Sequence, residues 1–272
     1  MAAPILDRRD LEFMLYELFD VESMSSRGRY ADHNRETINA AMDTAQAVAE
    51  KYFLPIRQKV DTHQPTFDGE KVQMIPEIKP ALDAVIESGL AFPGAGSSLA
   101  DLTTSYLVGE ENRGLSYMFH MMNEARVMVG SGAAITALCG YQYSLDYARE
   151  RPQGRLPSNK DPLSPPVNII EHADVRRMLL AQKAYAEGAY ALCLLGTQLA
   201  DDSHTAPTAE ERDAAHLLLD FLTPIIKTWP SEYGPKANSL AIQVLGGSGY
   251  VNEHPVEMMY RDNRLNPIHE GT

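Results

Sequence analysis

A chain of 272 residues, 44% apolar and 22% charged, has the length and composition of a globular protein that can bury its own core, as one large domain or two small ones. Its 24 Lys+Arg against 37 Asp+Glu leave a net charge of −13, which repels phosphate backbones and anionic lipid, so nucleic acid and membrane are not expected as partners. The opening residues lack a signal-peptide h-region and no apolar run reaches membrane-spanning length, from which a cytoplasmic location is expected.

Helical periodicity dominates from the start. Leu11, Met14, Leu15 and Leu18 recur at the spacing of one apolar helix face. A second helix is expected over Arg35 to Lys59, kinked or ended by Pro55. Thr62 to Met74 carries Pro65 and Asp68-Gly69 and predicts a loop. Pro76 suits the first turn of a helix bearing Ile78, Leu82, Val85 and Ile86 and closed by Gly89. The Gly- and Ser-rich stretch Pro93 to Ser105 has neither helical nor strand period.

From Glu110 to Arg149 an apolar-rich helix follows, weakly interrupted by Gly130, Gly132 and Gly140. Pro152 to Pro166 holds five prolines and must be a loop. A helix from Glu171 to Ala200 is expected next, then one starting at Pro207 to Glu211 and stopping near Trp229-Pro230. Another is expected from Ser231 to a stop at Gly246-Gly247, with a short helix over Pro255 to Asp262 before the tail. No segment alternates at period two, so the expected fold is all-α, with long helices burying their stripes in a bundle.

Familiar motifs are mostly missing. Gly94-x-Gly96 and Gly247-x-Gly249 neither complete a dinucleotide fingerprint nor follow a strand. The eight histidines form no His-Glu-x-x-His run, no closed Cys/His set exists, and no metal site is expected. Cys139 and Cys193 lie in apolar helical patterns and are expected to be buried free thiols.

Two stretches carry more. Gln243-Val-Leu-Gly-Gly-Ser-Gly-Tyr250 ends in glycines that let backbone approach a ligand, and Ile268-His-Glu-Gly-Thr272 holds one carboxylate followed at once by glycine. These, with Tyr106-Leu-Val-Gly-Glu-Glu-Asn-Arg-Gly-Leu115 and Pro93-Gly-Ala-Gly-Ser97, resemble the acyl-CoA dehydrogenase superfamily, closest to its 3-methylmercaptopropionyl-CoA dehydrogenase-like branch. The resemblance implies a partial N-terminal helical domain over 1–92, a remnant flavin and substrate loop over 93–105, and a C-terminal helical-bundle domain over 106–272. The family's middle β domain has no counterpart between them.

The resemblance further implies FAD-dependent α,β-dehydrogenation of an acyl-CoA, impaired in so short a chain. Glu270 matches the family's base, and Gly271 matches the position whose bare backbone lies against substrate. Arg151 matches an arginine that pairs with the FAD pyrophosphate; without the resemblance it reads as a helix-end arginine complementing the dipole. Gln243, Gly246 and Gly247 match the segment that reaches the FAD of a neighbouring subunit, although a glycine stop explains the same residues. Thr272 matches a flavin contact, and Ser97, Asn123 and Arg126 match acyl-CoA contacts. Electron-transfer flavoprotein is the implied redox partner and a homodimer or homotetramer the implied assembly. The alternative is a non-catalytic oligomeric helical bundle that kept these residues without the flavin.

Overall fold

The computed structural model describes residues 6–90 and 114–269, with the backbone alone over 114–124. The chain divides into two compact units: one is Glu22–Ser116, and the other joins the chain up to Val21 to the chain from Tyr117 onward. Both are helical, as the absence of period-two alternation predicts.

In the smaller unit, α2 (Arg35–Val48) starts at a reciprocal capping box, Asn34 accepting from the Thr37 N–H while the Thr37 hydroxyl accepts from the Asn34 N–H. It passes through a π turn at Ala49–Phe53 and a 3-10 turn at Leu54–Ile56 into α3 (Arg57–Thr62). Pro55 thus disturbs this helix without stopping it. The expected loop after α3 contains a small hairpin, Thr66–Phe67 paired antiparallel with Val72–Gln73. Asp68 makes its turn: its carboxylate accepts from the backbone N–H groups of Lys71 and Glu70, which hold its pKa down at about 2. In α4 (Ile78–Glu87) the buried residue is Ala81, while Leu82 and Ile86 of the expected stripe are exposed.

The larger unit opens with α1 (Arg8–Glu12), which loosens into a π turn at Phe13–Leu18 and buries Met14. Three long helices then make the bundle: α5 (Gly114–Glu150), α6 (Ala173–Thr205) and α7 (Ala209–Leu245). The short α8 (Gly247–Tyr250) and α9 (Val256–Leu265) finish it. The proline-rich loop between α5 and α6 is tied at its base, where the Gln153 N–H donates to the Val167 carbonyl at 2.9 Å and the Val167 N–H to the Gly154 carbonyl at 3.0 Å.

The expected break at Trp229-Pro230 does not occur. The helix α7 is continuous with Pro224, Pro230 and Pro235 inside it. Each proline removes one backbone donor and weakens the local turn. Packing outweighs that loss, because Thr223, Ile226, Pro230, Ser231, Gly234, Ala237 and Ala241 form an unbroken buried face. Small residues on the opposing helices let them approach closely: Ala133, Ala134 and Ala137 of α5 and Ala186 of α6 are fully buried.

The glycines of α5, expected as weak interruptions, divide into two kinds. A Cβ on Gly130 would lie 2.4 Å from the Ile226 carbonyl oxygen, the carbonyl that Pro230 deprives of its donor; a Cβ on Gly132 would meet nothing within 4 Å. Gly130→Ala is therefore expected to cost about 2–3 kcal/mol through overpacking against backbone. Gly132→Ala should stabilise by up to about 1 kcal/mol through helix propensity. Thermal melts of the two variants check the opposite signs.

Candidate active site

The glycine turn after α7 separates two requirements that the sequence merges. Gly246 sits at φ 62°, ψ −136°, a conformation closed to residues with a Cβ. Gly249 is a packing glycine: a Cβ there would fall 2.5 Å from the Ile242 carbonyl oxygen. Gly247 is neither, since a Cβ on it would meet nothing within 4 Å. Gln243, Gly246 and Gly247 all face solvent, so this backbone is open to a ligand or a partner surface.

The end of α5 holds this turn. The Tyr147 hydroxyl donates to Ser248 Oγ at 3.4 Å, and the Tyr143 hydroxyl meets His254 Nδ1 at 2.9 Å. The His254 ring stands edge-on to both tyrosines, at 6.0 and 5.9 Å between centroids. Just past the end of α5 comes Arg151, whose N–H donates to the Tyr147 carbonyl at 2.9 Å. Its side chain is exposed, whereas Arg149 beside it pairs with Asp146 at 3.6 Å. Arg151 and the Gly246-Gly247 backbone therefore lie on two segments that touch at one end of the bundle. The tyrosines, Ser248 and His254 were not legible in the sequence as members of this site; only proximity in the fold identifies them.

The tail is held from inside the bundle. Asn263 on α9 is fully buried, and its Nδ2 donates to the Ala133 carbonyl at 3.1 Å and to Asn238 Oδ1 at 2.7 Å. Asn238 Nδ2 in turn donates to the Thr136 carbonyl at 3.1 Å. Asn266 Nδ2 donates to Asn263 Oδ1 at 2.9 Å, and Lys227 Nζ donates to the carbonyls of Asn266 at 2.9 Å and His269 at 2.7 Å. One polar line thus runs from α5 through α7 and α9 into the tail.

Glu270, Gly271 and Thr272 lie outside the described residues, and so does Ser97. The Asn123 side chain does too, although its backbone is part of α5. Arg126 is half-buried on the same helix and engaged by a partner. Cys139 and Cys193 are free, Cys139 half-buried and Cys193 buried. Burial pushes the Cys193 thiol up to about 11, only partly offset by the Ser131 hydroxyl, so it is an inert core thiol at neutral pH. Among the described residues no His, Cys, Asp and Glu cluster could hold a metal ion, and no helix is long and apolar enough to cross a membrane.

Residues 112–272, which span α5 to the tail, match the family described as "Acyl-CoA dehydrogenase, C-terminal domain". The chain is 42% identical over 172 residues to 3-methylmercaptopropionyl-CoA dehydrogenase of Ruegeria pomeroyi, covering 63% of this chain and 29% of that one. It is 39% identical over 170 residues to a broad-specificity linear acyl-CoA dehydrogenase of Mycobacterium tuberculosis, covering 61% and 28%. Against a butyryl-CoA dehydrogenase of Syntrophomonas wolfei it is 36% identical over 165 residues, covering 61% and 27%. The chain spans less than a third of the length of each of these relatives.

Proposed function

The chain belongs to the acyl-CoA dehydrogenase family, and on that premise we propose that it carries the proton-abstracting half of a FAD-dependent acyl-CoA α,β-dehydrogenase site. The observation that carries this reading is the open backbone of Gly246 and Gly247 on a segment that touches the end of α5, where the Arg151 guanidinium is exposed. A backbone turn bare of side chains and an exposed guanidinium, on segments joined by the Tyr147–Ser248 bond, suit the diphosphate half of FAD. Gln243 lies just before this turn, and in an oligomer these residues would serve a neighbouring subunit's flavin.

Bound FAD would supply the acceptor for the hydride leaving the acyl β-carbon. Glu270 takes the α-proton, whose acidity comes from the thioester carbonyl, and the Cα–Cβ double bond forms as both hydrogens leave. Gly271, bare of a side chain, would allow an acyl chain against the backbone, and Asn123 and Arg126 are the proposed acyl-CoA contacts on α5, with Thr272 a proposed flavin contact. Electron-transfer flavoprotein is the partner that takes the electrons onward.

Residues 91–113 are far too few to hold a β domain of about 100 residues. One flavin face would then be wet, which weakens orientation and slows transfer. A second reading, an oligomeric helical bundle without flavin, is favoured by one observation. Leu217 and Phe221 of α7 are 73% and 68% exposed, next to exposed Leu218 and Ile225, an apolar strip of the kind that self-association covers.

Absorbance decides between them. The purified protein, incubated with FAD and desalted, is expected to keep flavin bands at one flavin per chain and to lose them on anaerobic addition of butyryl-CoA. Colourless protein would replace the dehydrogenase reading with the flavin-free bundle.

A further inference from the structure

Lys227 lies in the middle of α7 and is 1% exposed. Its neighbours on the buried face, Thr223, Ile226, Pro230 and Ser231, are also buried, so the ammonium is taken out of water rather than laid along the surface. Such a group costs free energy unless its donors are satisfied in place. An apolar side chain of the same length would fill this position without that cost. The ammonium has a reason to be there only if what it binds must be held.

Two of its hydrogen bonds go to backbone. Lys227 Nζ donates to the Asn266 and His269 carbonyls, the two ends of the Asn266-Pro-Ile-His269 turn that follows α9. Within the turn the Ile268 N–H donates to the Leu265 carbonyl at 2.9 Å, and Asn266 is tied through Asn263 and Asn238 to α5. The location of the His269 carbonyl is therefore set by the core of the bundle. That carbonyl belongs to the rigid peptide plane linking His269 to Glu270. Holding the oxygen fixes one end of the plane from which the next residue starts.

We propose that Lys227 is the positioning residue of the site: its buried ammonium holds the Asn266 and His269 carbonyls and so anchors the backbone that leads into Glu270. This role rests on the reading of Glu270 as the base. In this role Lys227 acts through the tail backbone that it holds. A base displaced by about 1 Å loses on the order of a hundredfold in rate, so anchoring the residue before it has a direct return in catalysis.

Lys227→Met keeps the length and removes the donors. Hydrogen exchange followed by NMR is expected to show the Ile268 and His269 amides exchanging about tenfold faster or more, with amides of α6 changed by less than about threefold. In protein loaded with FAD, reduction by butyryl-CoA should slow by about 10- to 100-fold while acyl-CoA binding changes by less than about threefold. Unchanged tail exchange, or tail and α6 amides accelerating together, overturns the positioning role. The exchange measurement needs no flavin, so a wild-type protein that is never reduced by acyl-CoA refutes the dehydrogenase reading separately. Should Lys227→Met fail to fold, the wild type carries the test. One slowly exchanging lysine ammonium with an NOE to the Asn266 or His269 α-proton is expected, and its absence overturns the proposal.

Discussion

Glu270→Gln is expected to keep the fold and the uptake of FAD and to slow reduction by acyl-CoA at least about 10²- to 10⁴-fold, the range that general-base catalysis supplies. Glutamine has the shape and hydrogen-bonding reach of glutamate but does not accept a proton from carbon. In the proposed reaction the proton sits α to a thioester, so the base would need no exotic environment, only placement and removal of water. Glu270→Asp separates placement from chemistry, because it keeps the carboxylate and withdraws it by one methylene. A loss of about tenfold to a hundredfold is expected for that variant, between wild type and Gln. Stopped-flow reduction of the bound flavin measures all three, and wild-type rates in Glu270→Gln would remove this residue from the chemistry.

The helices of the bundle were legible because their apolar residues recur at helical spacing and their ends carry glycine or proline. The exception is α7. Local propensity places a stop at Trp229-Pro230, yet the helix runs through to Leu245. The sequence near Pro230 does not reveal that Ile226, whose carbonyl the proline leaves without a donor, packs against a glycine about a hundred residues earlier, Gly130. Tertiary packing decides such cases, and the partner lies far away in sequence. The small hairpin at Thr66–Phe67 and Val72–Gln73 was missed for a plainer reason, since two-residue strands are too short to show a period.

In the site, the glycines were visible but their separate duties were not. Gly246 is required by its own backbone angle and Gly249 by the carbonyl it would strike, and only the fold tells them apart from Gly247. The polar line was invisible. Asn263 meets the Ala133 carbonyl across 130 positions and Asn238 across 25, distances at which no spacing rule operates. Nothing in Thr223-Pro-Ile-Ile-Lys-Thr-Trp229 marks Lys227 as buried, and only the fold shows it to be 1% exposed.

Asn263→Ala tests whether that line anchors the end of the chain. The side chain donates to the Ala133 carbonyl and Asn238 Oδ1 and accepts from Asn266 Nδ2, all in a fully buried position. Removing it leaves buried polar groups unpaired, each costing about 1–3 kcal/mol, and opens a small cavity besides. A loss of about 3–5 kcal/mol is expected, which for a unit of this size lowers Tm by roughly 10 °C. The bundle has little room to repair the damage, because Gly234 has its absent Cβ facing Asn263, which would lie 2.7 Å from it. Asn266→Ala, at a half-buried residue making one of these bonds, should cost only about 1 kcal/mol. Combining Asn238→Ala with Asn263→Ala should cost less than the sum of the two, by about 1–2 kcal/mol, because each single change already orphans the other amide. Additive losses in that double variant would mean that the two asparagines act independently. The fully buried Val256 would then be left to hold α9 by apolar contact, and the tail would lose its rigid connection to α5.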